Sequence, residues 1–450
     1  MKIFSRIILF LIIVSFFCSK KSFSQVSFES EAQLVVQANK LFAESDYVNA
    51  MPLFSQLLSL HPKDANYNYK FGVCVLRNDE DKTKALQYFD FAVKEPTVDK
   101  EAFFYAGNGY QLNARFDEAL ALYEKYKAKA GSNPDPLNAD RFIQQCKNGK
   151  NLYDKNVTLQ VLEKTETLEN EFYRNYDLKA MKGRIIPKPL NFKSKKDVKV
   201  NDNTLIFVGT ENQSIVYSGY NDEGLNTSRE LFKVNKLPNG EWALPVSIGE
   251  TINTAYDEEF AFLHPDGKTL YFSSKGHNTM GGYDIFRSVY DEQIGKWSVP
   301  VNLAHPINSP DDDIFYVVSP NNLTAYFVSF REGGLGEKDI YMATFIGRKE
   351  TPLTLMKGSV VDKSGKAAED VEIVVTDNET GEVVGVYRTN SKTGQFLFIL
   401  TPGKNYNITY QAKDRLFYSE NMEIPLKTNY YEIKRAVLLD PIVVGSKIVL

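Results

Sequence analysis

The sequence HPDGKTLYFSSKGHNTMGGYDIF (264–286) recurs one period of 55 residues later as SPNNLTAYFVSFREGGLGEKDIY (319–341). Both copies contain the aromatic pair YF, a serine shortly after it, a glycine-rich turn and the pair DI. Lys268 and both histidines of the first copy are absent from the second. A repeat that keeps its strand and turn residues but loses its ionisable residues is typical of a structural unit.

Chemical interpretations of the first copy fail on spacing. A phosphate-binding P-loop needs a glycine five residues before its Gly-Lys pair, and Phe262 stands at that place before Gly267. The segment also lies between two strand-like runs, not between a strand and a helix. Metal-ligand spacing on one element is absent among the histidines, which are His61, His264, His277 and His305. We expect turn or surface histidines and no metal site.

The composition is that of a globular chain with several domains. A length of 450 residues accommodates two to four domains. A formal net charge of -4 provides no global basic field, so we expect no nucleic-acid partner. The 26 tyrosines and 30 phenylalanines favour β structure and helical repeats over disorder.

Residues 1–24 are predicted to be a cleavable secretory signal peptide. The basic start MKIFSR precedes the apolar run IILFLIIVSFF (7–17), and SFS places small residues before a cleavage point at Gln25. The apolar run is short for a membrane span. Lipoprotein processing at Cys18 is the alternative, but Phe17 stands where that processing needs a small residue.

Residues 25–153 contain a helical repeat of 34 to 35 residues. Its copies place small residues where paired helices approach each other and large apolar residues between them. NADRFIQQCKNGKNLY (138–153) is predicted to be a capping helix. Cys74 and Cys146 lie in apolar helical patterns, which favours buried free thiols over a disulfide. The repeated small residues are Ala38, Gly72 and Gly107 in the first helices, and Ala50, Ala85 and Ala119 in the second helices.

This region resembles the tetratricopeptide repeat (TPR). In that family the first helix of each pair lines a concave surface. Aromatic and amide side chains with one arginine would suit peptide binding there. Packing of the same surface against another domain of this chain is the alternative. The residues predicted to face the groove are Asn39, Phe42, Tyr69, Arg77, Phe104, Asn108 and Gln111.

Residues 154–348 are predicted to be all β. The 55-residue period carries about four strand-like runs per copy, and one four-stranded sheet per repeat is typical of a β-propeller blade. FAFLHPDGKTLYFSS (260–274) resembles the blade of Tol-type (PD40, WD40-like) propellers. Residues 155–200 are interpreted as part of a further blade, with strands shared between the ends of the region. Eight basic residues between Lys179 and Lys199 are expected to form a solvated loop, with an anion or partner contact as the alternative.

Residues 354–440 are predicted to form a small β-sandwich. Apolar residues alternate along strand-like runs, and glycines such as Gly381 and Gly403 punctuate them as turns. The spacing Gly358…Asp362 and the later Gly-x-Phe resemble the carboxypeptidase regulatory-like domain. The expected fold class is therefore multidomain: an all-α TPR solenoid, an all-β propeller and a small β-sandwich.

No catalytic set emerges from the sequence. The nucleophile motif G-x-S-x-G is absent, and no pair of acids is singled out for glycosidase chemistry. Asp311, Asp312 and Asp313 could hold a cation, but Asp312 recurs as Asp257, which favours a repeated turn role. We expect neither enzymatic activity nor a cofactor.

The order of domains resembles OmpA-family envelope proteins associated with type IX secretion and gliding. That resemblance implies a periplasmic scaffold, peripheral to the outer membrane, that binds envelope proteins through its TPR and propeller regions. It also implies an OmpA-like peptidoglycan-binding domain after residues 441–450, so peptidoglycan contact is expected only through such a domain. A propeller that binds or processes glycans is the alternative function.

Overall fold

The computed structural model describes residues 30–79, 81–131, 135–153, 159–167, 178, 183–209, 214–222, 227–320, 322–331, 338–345, 354–368, 370–415, 417–426 and 431–441. The predicted signal peptide and residues 442–450 of the predicted tail lie outside these ranges. An N-terminal helical region is followed by mostly antiparallel β-sheets, which confirms the predicted order of all-α and all-β parts.

The helical region contains helices that each contact the next one along the chain. A 3-10 turn, Lys82–Ala85, precedes the fourth helix. The side chains of Ser30, Asp46 and Asp64 accept backbone N–H groups at the starts of the first three helices. The helices are α1 (Glu31–Ala43), α2 (Tyr47–Leu60), α3 (Ala65–Asn78), α4 (Leu86–Ala92), α5 (Glu101–Leu112), α6 (Phe116–Ala130) and α7 (Ala139–Tyr153).

The repeated small residues lie where the paired helices touch. Ala38 and Ala50 have no exposed surface in the α1–α2 pair. A Cβ atom on Gly72 would lie 3.0 Å from the Phe89 ring, between α3 and α4. These contacts explain why the sequence repeats small residues at these positions.

The next region contains short strands and one short helix, α8 (Lys195–Lys199). The strands are β1 (Leu159–Thr167), β2 (Gly183–Pro187), β3 (Leu205–Gly209), β4 (Ser214–Tyr220), β5 (Arg229–Asn235), β6 (Val246–Ser247), β7 (Glu258–Leu263), β8 (Thr269–Ser274), β9 (Asp284–Asp291), β10 (Lys296–Trp297), β11 (Val301–Asn302), β12 (Asp313–Val318), β13 (Thr324–Ser329) and β14 (Lys338–Phe345).

These strands form antiparallel sheets in sequence order. The sheets are β2–β3, β4–β5–β6, β7–β8–β9–β10 with β11 also on β9, and β12–β13–β14. The last sheet gains a fourth strand from the start of the region, because β1 pairs with β14 from Leu159 opposite Phe345 to Thr167 opposite Lys338. The start of the region predicted to be all β therefore contains a strand, and this strand is part of the final sheet.

The expectation that the basic residues from Lys179 to Lys199 form a solvated loop is wrong for Lys188. Its side chain is fully buried, with Nζ 2.9 Å from Asp197 and 2.8 Å from Asp202. The same ammonium group donates to the carbonyl of Ser218 over 2.8 Å. Burial is tolerated because two carboxylates and a carbonyl surround the charge. Arg229 pairs with Asp202 over 3.0 Å and extends this buried cluster.

The C-terminal strands form two sheets around one core. The core draws on both sheets, with Phe398 and Val437 from one and Ile373 and Tyr410 from the other. Gly381 and Gly403 have φ of +73° and +76°, as expected of turn glycines. The sheets are β18–β15–β21 and β17–β16–β19–β20. Their strands are β15 (Thr354–Val361), β16 (Glu372–Asp377), β17 (Val383–Arg388), β18 (Gln395–Leu400), β19 (Asn405–Gln411), β20 (Tyr418–Glu423) and β21 (Tyr431–Leu438).

Candidate protein-binding groove

The predicted groove residues lie on α1, α3 and α5, the first helices of successive pairs. Arg77 Nη2 on α3 donates to Asn108 Oδ1 on α5 over 3.2 Å. Gln111 Nε2 on α5 lies 3.4 Å from Gln145 Oε1 on α7. These bonds join neighbouring first helices into one surface, which we call the first-helix face and define by α1, α3, α5 and α7.

The N-terminal half of the first-helix face carries an aromatic cluster. The Phe42 ring centroid lies 6.4 Å from that of Tyr69 and 6.0 Å from that of Tyr105, and the two tyrosine rings stack 6.2 Å apart. Lys70 Nζ lies 5.7 Å from the Tyr69 centroid and donates to Asn39 Oδ1 over 2.6 Å. Asn39, Phe42 and Tyr105 are half-buried, so this half of the face reaches solvent.

The groove position predicted for Phe104 is held by Tyr105. The Phe104 side chain is 5% exposed and packs against the rings of Tyr123, Tyr126 and Phe142 in the core between α5, α6 and α7. Successive residues of an α-helix point about 100° apart, so only one of these neighbours can face the groove. Both are aromatic, and the sequence pattern had no feature that separated them.

Buried amide side chains form a chain of hydrogen bonds in the middle of the first-helix face. Asn108 Nδ2 donates to the Tyr123 hydroxyl over 2.9 Å, and that hydroxyl donates to Gln111 Oε1 over 2.8 Å. Gln111 Nε2 then donates over 3.0 Å to the backbone carbonyl of Met280, which belongs to the β region. Asn108 and Gln111 are thus buried, whereas Arg77 is exposed.

The C-terminal half of the face is filled by residues 275–281, which we call the docking loop. Side chains of α5 and α7 donate to backbone carbonyls of this loop: Arg141 to Lys275 over 2.9 Å, and Asn148 to Thr279 over 2.9 Å. Met280 has no exposed surface and belongs to the hydrophobic core of the helical region. Intrachain packing therefore occupies this half, whereas the side chains of Asn39, Phe42 and Tyr105 in the aromatic half are partly exposed in the described part of the chain.

A second contact joins the end of α7 to the β region. The ring centroids of Tyr153 and His305 lie 4.0 Å apart. The backbone N–H of His305 donates to the backbone carbonyl of Leu152 over 3.3 Å. The pKa of His305 is lowered, mainly by burial and also by the nearby charge of Arg331. Asp311 and His305 line a cavity of about 410 Å³. The pKa of Asp311 is raised to about 6, mainly by burial and also by the charge of Asp312.

Asn253 and Asn308, which lie one 55-residue period apart, each bond the sheet that precedes them. Asn253 Oδ1 accepts the N–H of Leu231 over 2.8 Å, and its Nδ2 donates to the carbonyl of the same residue over 3.1 Å. One period later, Asn308 makes the same two bonds to Ile285, over 2.8 Å and 2.9 Å. The repeat therefore conserves a contact between sheets.

The recurring aspartates serve a similar role. Asp257 Oδ1 accepts the N–H of Arg229 over 3.0 Å, and Asp312 Oδ1 accepts the N–H of Tyr283 over 2.8 Å. The predicted turn role is thus replaced by a bond to the neighbouring sheet. Within the described ranges, no group of three histidine, cysteine, aspartate or glutamate residues could hold a metal ion.

The ionisable residues of the opening sequence have local structural partners. His264 Nδ1 lies 3.1 Å from Asp266 in the same turn, and a ring nitrogen of His277 lies 2.9 Å from the carbonyl of Ile252. Lys268 pairs on the surface with Glu292 over 2.6 Å. His264 thus lies in a turn, as expected, but it is buried and His277 is half-buried, so neither is a surface histidine.

A cavity of about 560 Å³ lies between the turn 264–268 and the C-terminal sheets. Tyr387, Phe398 and Tyr406 contribute to one wall, while His264 and Asp266 contribute to the other. His264 is 2% exposed, and its Nε2 has no hydrogen-bond partner in the described part of the chain. The cavity therefore has aromatic side chains on one wall and the turn that carries the buried His264 on the other.

Both cysteines of the helical region are buried free thiols, as predicted. Burial raises the pKa of Cys74 and of Cys146 to about 12, so neither is a thiolate near neutral pH. Among the helices that the structure describes, none has the length and apolar character needed to span a bilayer.

No protein-family model and no curated protein matches the sequence. Among solved structures, the chain is similar to PcrH in complex with the chaperone-binding region of PopD, at 19% identity and a TM-score of 0.24, covering 26% of this chain and 92% of that one. It is also similar to MamA, at 19% identity and a TM-score of 0.19, covering 22% and 55%. The Bacillus anthracis TIE protein matches at 9% identity and a TM-score of 0.19, covering 77% and 70%.

Proposed function

We propose that this chain is a non-enzymatic scaffold that binds other proteins in the bacterial cell envelope. In this proposal it is exported by its signal peptide and works in the periplasm, peripheral to the outer membrane, with the type IX secretion or gliding machinery. The domain order of the sequence supports this assignment. The open half of the first-helix face supplies the surface for a partner.

The proposal treats the helical region as a TPR solenoid and the sheets of residues 154–348 as propeller blades. Helix pairs that touch at Gly72 and Gly107 support the first interpretation. The pairing of β1 with β14 supports the second, because a ring of blades closes when its first and last segments share a sheet. The C-terminal sheets are treated as a carboxypeptidase regulatory-like sandwich.

The observation that carries the proposal is the way the first-helix face holds the docking loop. Arg141, Asn148 and Gln111 all donate to backbone carbonyls, so the face binds the main chain of a turn through its carbonyl groups. The adjoining half offers Phe42, Tyr105 and the exposed Arg77 in the same groove. Aromatic and arginine side chains at the centre of a groove commonly contribute most of the binding energy.

Site-specific photocrosslinking tests this function in living cells. A photoreactive residue at Arg77 should crosslink to a defined protein, because Arg77 is exposed on the open half of the face. The same residue placed at Lys94, exposed at the start of the turn after α4, serves as the matched control. A product at Arg77 that is lost in a Phe42→Ala background supports the proposal. Identical products at both positions, or none at Arg77, would count against it.

Glycan binding is the second candidate function, and the cavity beside His264 favours it. Aromatic rings can stack on the apolar face of a sugar. Its volume of about 560 Å³ lies within the range of roughly 300–1,000 Å³ that is common for ligand sites. A glycan array that returns no signal above that of Tyr387→Ala would remove this candidate.

A further inference from the structure

The fold sorts the charges of residues 183–209 between its interior and its surface. Both acids of this stretch, Asp197 and Asp202, are buried beside the ammonium group of Lys188. The other described basic residues of the stretch are exposed or half-buried, and they are Arg184, Lys193, Lys195, Lys196 and Lys199. The surface of this stretch is therefore basic, although the whole chain has a formal net charge of -4.

Aliphatic side chains are exposed in the same stretch. Leu190 is 75% exposed, Val198 54% and Val200 51%. Single exposed apolar residues are common on protein surfaces. These three, however, share the segment 190–200 with most of the surface lysines of the stretch, and we call this segment the basic patch.

The short helix α8 places cations and an aliphatic side chain on one face. Lys195, Val198 and Lys199 occupy positions i, i+3 and i+4, which are neighbours on a helix surface, and all three are exposed. Asp197 points inwards, where it accepts the backbone N–H groups of Ser194 over 2.8 Å and Tyr220 over 3.0 Å. The outward face of α8 is thus cationic and aliphatic.

Asp222 lies beside this face but bonds the main chain. Its carboxylate accepts the backbone N–H groups of Lys195 and Lys196, each over 2.9 Å. Among the described residues, no carboxylate forms an ion pair with the side chain of Lys195 or Lys199. Both ammonium groups are therefore able to bind an external anion.

Buried contacts fix the basic patch against the β region. The ring of Phe192 stacks on Tyr217 with centroids 5.1 Å apart and meets Trp242 edge-on at 5.8 Å. Ser194 and Asp197 form a capping box at the start of α8. The exposed side chains are thus presented on an ordered backbone, so little backbone entropy is lost on binding.

We propose that the basic patch binds the surface of an anionic phospholipid membrane. Lysine ammonium groups attract anionic headgroups, and aliphatic side chains beside them enter the boundary between headgroups and acyl chains. Exposed leucine and valine favour a lipid surface over an acidic protein, because their burial adds to an attraction that charge alone gives to both. The inference rests on the envelope location in the proposed function, but it uses residues separate from the first-helix face.

Cosedimentation of the exported chain, residues 25–450, with vesicles tests the lysines. At low ionic strength the chain should bind vesicles of equal parts phosphatidylglycerol and phosphatidylcholine, but not phosphatidylcholine alone. Lys195→Gln/Lys199→Gln should weaken binding by about tenfold or more, because each lysine adds to the attraction. The control Lys125→Gln/Lys129→Gln removes an exposed pair of the same spacing from α6 and should bind like the wild type. Equal binding by the two variants would overturn the proposal.

A second pair of variants tests the aliphatic side chains. Leu190→Ser/Val198→Ser keeps every charge and should still weaken vesicle binding several-fold, because the apolar contact with the lipid boundary is lost. Leu244→Ser/Val299→Ser removes two exposed aliphatic side chains elsewhere in the β region and should bind like the wild type. Full vesicle binding by the first variant, or binding of soluble polyglutamate as tight as that of vesicles, would identify an acidic protein as the partner and contradict the proposal.

An arginine variant separates loss of charge from loss of fold. Lys195→Arg/Lys199→Arg keeps both positive charges, so it should bind the anionic vesicles like the wild type and melt at the same temperature. Weak binding by this variant would show that charge is not what the membrane recognises. Crosslinking at Arg77 is measured on the same proteins and should be unchanged by the glutamine pair, so a failure of lipid binding and a failure of the scaffold function give different results.

Discussion

At the scale of single residues, Gly107 shows how closely the helix pairs approach. A Cβ atom there would lie 2.7 Å from the ring of Tyr123, whose side chain is fully buried. Gly107→Ala gains about 1 kcal/mol of helix propensity, but overpacking of this kind costs about 1–3 kcal/mol. We expect a net loss of roughly 1 kcal/mol, measured by urea denaturation. Ala121→Leu on the exposed face of α6 is the control and should change stability by less than about 0.5 kcal/mol.

Glu258 makes the stability of the fold depend on pH. It has no exposed surface, and burial raises its pKa from 4.5 to about 7 although Thr254 and Ser274 donate hydrogen bonds to it. Between these two values the folded state binds more protons than the unfolded state. The contribution of Glu258 is therefore fully present below pH 4.5 and is lost as the pH rises through 7.

Glu258→Gln tests this linkage because it removes the titrating group and keeps the shape of the side chain. The wild type should lose about 3 kcal/mol from this group between pH 4.5 and pH 7.5, and the variant should show a correspondingly smaller loss. The measurement is the free energy of unfolding in urea across that pH range. Parallel pH profiles for the two proteins would show that Glu258 titrates normally.

At the scale of elements, Asn253 and Asn308 each link a sheet to the one before it. Asn308 is fully buried and satisfies both backbone groups of Ile285, whereas Asn253, in the equivalent place, is only half-buried. Asn308→Ala should cost about 1–3 kcal/mol, because the buried N–H of Ile285 loses its acceptor while the Ile285 carbonyl still accepts the N–H of Leu303. Asn253→Ala should cost less, since water can replace its bonds. Equal losses of thermal stability would show that burial does not set the cost.

The sequence predicted the elements well where a physical constraint repeats. The period of 55 residues aligns Asp312 with Asp257, and the structure shows why: both aspartates bond a backbone N–H of the preceding sheet. The sequence could not predict that Tyr105 faces the groove in place of Phe104, since helix rotation is set by packing between helices. It also missed the burial of Lys188, because its two carboxylate partners come together only in the folded chain.

At the scale of the whole molecule, the docking loop joins the helical region to the β region. The loop belongs to the segment with which the sequence repeat was recognised, and its glycine-rich turn inserts Met280 into the helical core. Backbone carbonyls and one methionine form most of this contact, so no repeated side chain identifies it. This explains why the 55-residue period revealed the sheets but not their docking.

Removing hydrogen bonds from α7 to the docking loop should weaken the contact between the helical and β regions without unfolding either region. Gln145→Ala/Asn148→Ala deletes donors to the carbonyls of Gly281 and Thr279, while Met280 still contributes its apolar contact. Hydrogen exchange should accelerate by about tenfold or more in residues 275–281 and in α7, since each lost bond is worth about 1 kcal/mol. Exchange in the C-terminal sheets should stay unchanged. Lys147→Ala, exposed on the same helix, is the control. Similar exchange in both variants would mean that the remaining contacts, among them Met280 in the helical core and Tyr153 on His305, hold the regions together without these two donors.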